Sequence, residues 1–259
     1  MITSAANEKI KHARSLLQQR KARERHRQFV IEGARLITVA ERAGLVPALL
    51  FCTETFLASA GGQRWAGLWP AAVEPVADRV LAALAGTVTP QGVLAVVPQP
   101  ALAPAKRDLL LILDGVRDPG NVGTLLRAAL AAGVDEVLTS AGSADPYNPK
   151  TVRAAMGAHF RLPLRADLGW DAIAAQCAKL DVLLADAGGG LVYDQWDWLR
   201  PTALVIGGEA AGAGQEALAL ATHRVSIPMR PASESLNAAI AGSVILFEAA
   251  RQRRKFPFS

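Results

Sequence analysis

The C-terminal stretch of the chain constrains its fold most. ALVIGGEAAGAG (203–214) and RVSIPMRPASESLNAAIAGSVILFEAARQRRK (224–255) each open with a short apolar run, Ala203–Gly207 and Arg224–Pro228. Each run ends in a turn marked by Gly or Ser and continues into a helical pattern. Runs of this length, bounded by turn signals, fit parallel strands covered on both faces. Ligands of such sheets collect beyond the carboxyl ends of the strands, where Gly208, Glu209, Met229 and Ser235 fall. Two adjacent strand–turn–helix units suggest a built pocket, although spacing alone is met as well by two ordinary α/β connections.

With 259 residues, 51% of them apolar and 20% charged, the chain is globular and long enough for one large or two ordinary domains. A net charge of +5 and a pI near 9.6 favour an anionic partner, nucleic acid before membrane. Two cysteines are too few for a disulfide framework or a metal cage and suit a reducing cytoplasmic interior. The start, MITSAANEKIKHARS, has no apolar signal core, and runs such as Leu109–Leu113 are far too short to span a bilayer. The expectation is a soluble cytoplasmic protein with no membrane and no metal among its partners.

Residues 4–28 read as one basic helix. Ile10, Ala13, Leu16 and Leu17 form its packing stripe, and Lys9, Lys11, Arg14, Arg20, Lys21, Arg23, Arg25 and Arg27 supply the charge. That charge suits a phosphate backbone, with Lys9, Lys11, Arg23 and Arg25 as candidate RNA contacts, and equally suits a solvated helix face. Short strands then alternate with helices as far as Val97, the pattern of a small α/β domain. PQPALAPAKR (98–107) holds three prolines and reads as a semi-rigid linker. The division expected is therefore 1–98, a linker over 99–107, and a second α/β domain over 108–259.

In LDGVRDPGNVGTLLRAALAAGVDEV (113–137) a strand passes through Asp118-Pro119-Gly120 into a helix that Asn121 is placed to cap. Val122, Leu125, Leu126 and Ala129 mark its buried face, and Arg127 lies away from it. In DPYNPKTVRAAMGAHFRLPLR (145–165), Asn148-Pro149 starts a helix whose early Lys150 and Arg153 oppose the helix dipole unless an anion is present, which makes both candidate phosphate contacts. No G-x-G-x-x-G after a strand, Walker lysine, H-E-x-x-H, C-x-x-C or G-x-S-x-G occurs, so the usual equipment for NAD, ATP, zinc hydrolysis or serine acyl transfer is absent.

Three stretches together resemble the SpoU (TrmH-type) RNA ribose 2′-O-methyltransferases of the SPOUT superfamily: DPGNVGTLLRAALAAG (118–133), VIGGEAAG (205–212) and SIPMRPASESLNAAIAGSVILFEAARQR (226–253). NPKTVRAAMGAHFRLP (148–163) is similar to the segment between the family's first two motifs, and the N-terminal part resembles its substrate-binding domain. The resemblance implies S-adenosylmethionine as methyl donor, a parallel-sheet catalytic domain with a C-terminal trefoil knot, and a homodimer whose site draws on both subunits. It implies catalytic roles for Asn121, Arg127, Glu209, Ser235 and Asn237, and cofactor contacts at Gly207, Gly208, Ile227, Met229 and Leu236. Ala210-Ala211 and Ala238-Ala239 depart from the family's commoner residues. The attached N-terminal domain favours ribosomal RNA over transfer RNA. Two other classes remain open on sequence: a non-catalytic RNA-binding or ribosome-assembly protein on the same fold, and a small-molecule α/β enzyme.

Overall fold

The computed structural model describes residues 1–86, 90–209, 212–230 and 235–254. They form two compact units, residues 1–100 with 147–160, and 101–146 with 161–259.

The first unit begins with α1 (Glu8–Gln18) and α2 (Arg20–His26), so the single helix expected over 4–28 is two. Gln19 between them is extended (φ −122°, ψ 119°). The carbonyls left open at the break are met by Arg23, a buried side chain whose Nη1 donates to the Leu16 carbonyl at 2.6 Å. Arg27 closes α2 in the left-handed region (φ 50°) and turns the chain into β1 (Gln28–Glu32). Then follow α3 (Ala34–Arg42), β2 (Leu49–Cys52), α4 (Glu54–Leu57), α5 (Ala60–Leu68), β3 (Val73–Pro75), α6 (Asp78–Ala82) and β4 (Val93–Pro98). The sheet order is β1-β4-β2-β3, antiparallel except for the parallel pair β2–β3. Alternation along β1 sends Phe29 and Ile31 into one core with Trp65 and Cys52, and Val30 into another with Ile10 and Leu16. Both faces of the sheet are thus covered.

The second unit is built on β5 (Leu109–Asp114), whose six residues are all buried. α7 (Pro119–Ala132) and β6 (Glu136–Ser140) follow. Next comes α8 (Pro149–Ala155), which belongs with residues 147–160 to the first unit. Tyr147, His159 and Phe160 place their rings 5.1, 5.7 and 6.1 Å from that of Phe29, and Val152 joins the same core. The compact unit therefore departs from the boundary read along the sequence, which had assigned this whole segment to 108–259.

The second unit resumes with β7 (Leu164–Leu168), α9 (Trp170–Cys177), β8 (Asp181–Ala185), β9 (Leu191–Val192), β10 (Thr202–Gly207), α10 (Gln215–Leu220), β11 (His223–Ser226) and α11 (Ala238–Arg253). All seven strands are parallel, in the order β7-β6-β5-β10-β8-β11-β9. The order reverses between β5 and β10, which opens a crevice at their carboxyl ends. α11 packs along α7. Gly242 lets them approach, since a Cβ there would lie 2.5 Å from Leu125 Cδ2. The far end of α11 is pinned by Arg253, which donates to the carbonyls of Trp198, Arg200 and Asp108. Among the described residues no helix is long and apolar enough to cross a membrane.

Candidate active site

The site grows from the parallel register of β5 and β10, in which Asp114 stands opposite Gly207. Past these residues both strands end in glycine, and the space is filled: a Cβ on Gly208 would lie 2.4 Å from the Gly115 carbonyl oxygen. Gly208 and Gly212 exchange backbone hydrogen bonds of 3.1 and 3.0 Å, closing a tight loop whose first residue is Glu209. Ala210 and Ala211, which depart from the family's commoner residues, lie outside the described residues.

Three polar side chains meet at the mouth. Asn237 caps α11, its Oδ1 accepting from the N–H groups of Ala239 and Ile240 at 2.9 and 3.2 Å. That fixes which way its amide points, because an oxygen engaged by two donors leaves Nδ2 facing outward. Nδ2 donates to Asn121 Oδ1 at 3.1 Å, which orients the second amide in turn, and Asn121 Nδ2 donates to Glu209 Oε1 at 2.5 Å. The backbone of α11 thus sets, through two amides, the approach to one carboxylate. Asn121 is available because it is not the cap of α7. Asp118 is, accepting from the Asn121 N–H at 2.9 Å with Pro119 in the first turn.

Beside this cluster lies a cavity of about 590 Å³, within the ~300–1,000 Å³ of small-molecule sites. Every residue expected to touch the cofactor lines it (Gly207, Gly208, Ile227, Met229 and Leu236), as do Glu209, Ser235 and Asn237. β11 stops at Ser226 rather than at the expected Pro228, so Ile227 and Met229 stand beyond the strand and form wall. Ile206, Leu218, Val225 and Ile245 make a largely apolar floor, and Asp186 and Glu209 are the charged residues in the lining. This composition fits S-adenosylmethionine: apolar side chains for a purine, the backbone of Gly207 and Gly212 in the lining, and two carboxylates for a donor that carries a sulfonium and an ammonium. Among the described residues no group of His, Cys, Asp and Glu could hold a metal ion.

Arg127 stands apart from the cluster. It is exposed, does not line the cavity, and bonds to no described side chain or carbonyl. The reason is helical periodicity: six residues on from Asn121, its side chain points about 120° away around the axis. The candidate RNA contacts divide likewise. Lys9 is paired with Glu74, Lys11 with Glu8 at 2.7 Å, and Arg23 is buried in the helix break. Arg25 is exposed. Lys150 lies in the first turn of α8, and Arg153 sits beside Gly86 within the first unit. Sequence reasoning missed Asp114, Ser140 and Gly214, which tie the Glu209 loop to β5. The one signal for them was an acid closing an apolar strand.

Residues 108–247 match the model of the SpoU rRNA Methylase family, and residues 7–95 match that of the MRM3-like substrate binding domain. The chain belongs to the SpoU rRNA methylase family. Among its SpoU relatives is the human mitochondrial rRNA methyltransferase 3, 32% identical across 93% of this chain and 71% of that protein. Another is the Bacillus subtilis 23S rRNA (guanosine(2553)-2′-O)-methyltransferase RlmP, 32% identical across 95% of this chain and 97% of that one. The crystal structure of the SpoU methyltransferase AviRb from Streptomyces viridochromogenes, in complex with the cofactor AdoMet, superposes with a TM-score of 0.86 at 30% identity, covering 95% of this chain and 98% of that one.

Proposed function

We propose that this protein transfers a methyl group from S-adenosylmethionine to a ribose 2′-hydroxyl of large-subunit ribosomal RNA. The observation that carries the reading is the Asn237–Asn121–Glu209 chain at the mouth of the cavity; the rRNA methyltransferase relatives support the substrate class. When bound, the cofactor would supply the methyl from its sulfonium, the C–S bond breaking as the O–C bond forms and S-adenosylhomocysteine leaving, so the acceptor oxygen has to be held in line while its proton passes to solvent. Alignment of this kind is worth several kcal/mol. Asn121 and Ser235 orient the ribose. Glu209 fixes Asn121. Arg127, whose planar guanidinium presents a fork of N–H donors, clamps the adjacent phosphate and stabilises charge developing on the oxygen.

The same reading makes the protein a homodimer in which Arg127 completes the partner's site. Its support is the exposed stripe Ile240, Val244 and Phe247 on α11, at helical spacing and next to α7, which carries Arg127. It also includes the C-terminal knot and a cytoplasmic location, the latter supported by two free buried cysteines. Calorimetry with S-adenosylmethionine tests the enzymatic reading. Saturable heat that Leu236→Arg abolishes is expected, whereas no heat would leave the non-catalytic RNA-binding alternative standing.

A further inference from the structure

We propose that Asp114 is a positioning residue for methyl transfer, holding the Glu209 loop at the distance where Glu209 grips Asn121. The inference rests on the methyl-transfer reading above. Asp114 is buried, and each of its carboxyl oxygens accepts one hydrogen bond, Oδ1 from Ser140 Oγ at 2.8 Å and Oδ2 from the Gly214 N–H at 2.7 Å. Ser140 Oγ in turn accepts from the Gly115 N–H at 3.1 Å. One side chain therefore joins the ends of β5 and β6 to Gly214, two residues past the Gly208–Gly212 closure that follows β10.

A carboxylate is a costly group to bury, and no Lys or Arg among the described residues pairs with this one. An apolar residue would leave the Gly214 N–H and the Ser140 hydroxyl without their acceptor. An amide could keep the Gly214 N–H on its oxygen, but it would turn a donor towards Ser140, whose hydroxyl would have to rotate to accept it. Only a carboxylate accepts on both sides without that rearrangement, and the Gly214 it holds lies five residues beyond Glu209 in the chain. Gly208 is wedged on Gly115, and Gly214, two residues past the Gly208–Gly212 closure, is tied to Asp114. Glu209, between them, keeps its reach to Asn121. The cavity wall depends less on this tie, because Gly207 is packed directly on Gly212 and Ala213, and Gly208 and Gly212 bond each other.

The test uses the full-length protein, tritium-labelled S-adenosylmethionine and large-subunit ribosomal RNA from cells lacking the protein, with S-adenosylhomocysteine calorimetry as a separate reading of the pocket. Asp114→Asn should lower kcat about 100-fold with the KM for the cofactor and S-adenosylhomocysteine affinity nearly unchanged. In a Glu209→Ala background the same substitution should cost almost nothing further. Ser140→Ala, a gentler change should Asp114→Asn fail to fold, should show a smaller loss with the same dependence on Glu209. Losses that multiply in the two backgrounds, or a fall in affinity that parallels the fall in rate, would make Asp114 a stabilising residue only and overturn the proposal. An active wild type with an equally active Asp114→Asn variant sinks this inference alone. A wild type that binds no S-adenosylhomocysteine sinks the methyl-transfer reading beneath it.

Discussion

At the level of single residues, the candidate site depends on which atoms are already engaged. Asn121 can serve chemistry because Asp118 has taken the capping role, and its amide is oriented only because Asn237 is spent on α11. Asn121→Asp should place a second carboxylate against Glu209. Like charges at hydrogen-bond distance raise the pKa of the pair in the folded state, so the variant should be destabilised by about 1 kcal/mol at neutral pH, a modest figure because Glu209 is exposed. The deficit should shrink as pH falls and one carboxyl takes up a proton, which urea midpoints at pH 5 and pH 8 will measure. A deficit that grows in acid would contradict the contact. The cysteines give a second prediction of opposite sense. Burial pushes the Cys52 thiol up to about 12 and that of Cys177 to about 11, from 9.0. The folded chain thus keeps protons that the unfolded chain releases above pH 9, and stability should fall from there upward. Neither thiol should react with iodoacetamide at pH 8 unless the chain is unfolded.

At the level of elements, apolar runs and turn residues announced β5, β10 and α7, since a parallel strand buried on both faces leaves little freedom in composition. Two features of the elements lie beyond what composition carries. The basic helix over 4–28 breaks at Gln19, a residue with good helix propensity, and Arg23 folds back onto the Leu16 carbonyl that the break leaves open. Contiguity in sequence likewise hid the membership of residues 147–160 in the first unit, which rests on the ring packing of Phe29 with Tyr147 and Phe160. From that packing, Phe160→Ala should cost about 3–5 kcal/mol and lower the melting temperature of the first unit, and a fragment ending at residue 100 should be less stable than its counterpart within the whole chain. Equal stabilities would show that α8 is a dispensable cover. In the site itself, the residues lining the cavity were legible as motif positions, while the order of hydrogen bonds among them was not, because an asparagine gives no sign in sequence of which neighbour its amide will face.

At the level of the whole molecule, one chain assembles Asn121, Glu209 and Asn237 and leaves Arg127 outside, beside an exposed apolar stripe. A two-subunit site accounts for both facts. If the proposed dimer forms through this stripe, Phe247→Glu should leave monomer in sedimentation and abolish transfer together. Mixed subunits give a sharper reading: a heterodimer of Arg127→Ala with Asn121→Ala holds one intact site if the arginine comes from the partner, and none if it acts within its own chain. Recovery of activity on co-refolding two inactive variants is the expected outcome. The central claim, methyl transfer to ribose at the Asn121 cluster, is tested most directly by digesting with alkali the tritium-labelled large-subunit RNA after reaction. A 2′-O-methyl blocks cleavage, so the label should run as an alkali-resistant dinucleotide from one position and vanish with Asn121→Ala. Label released on mononucleotides, or label indifferent to Asn121→Ala, would contradict the account.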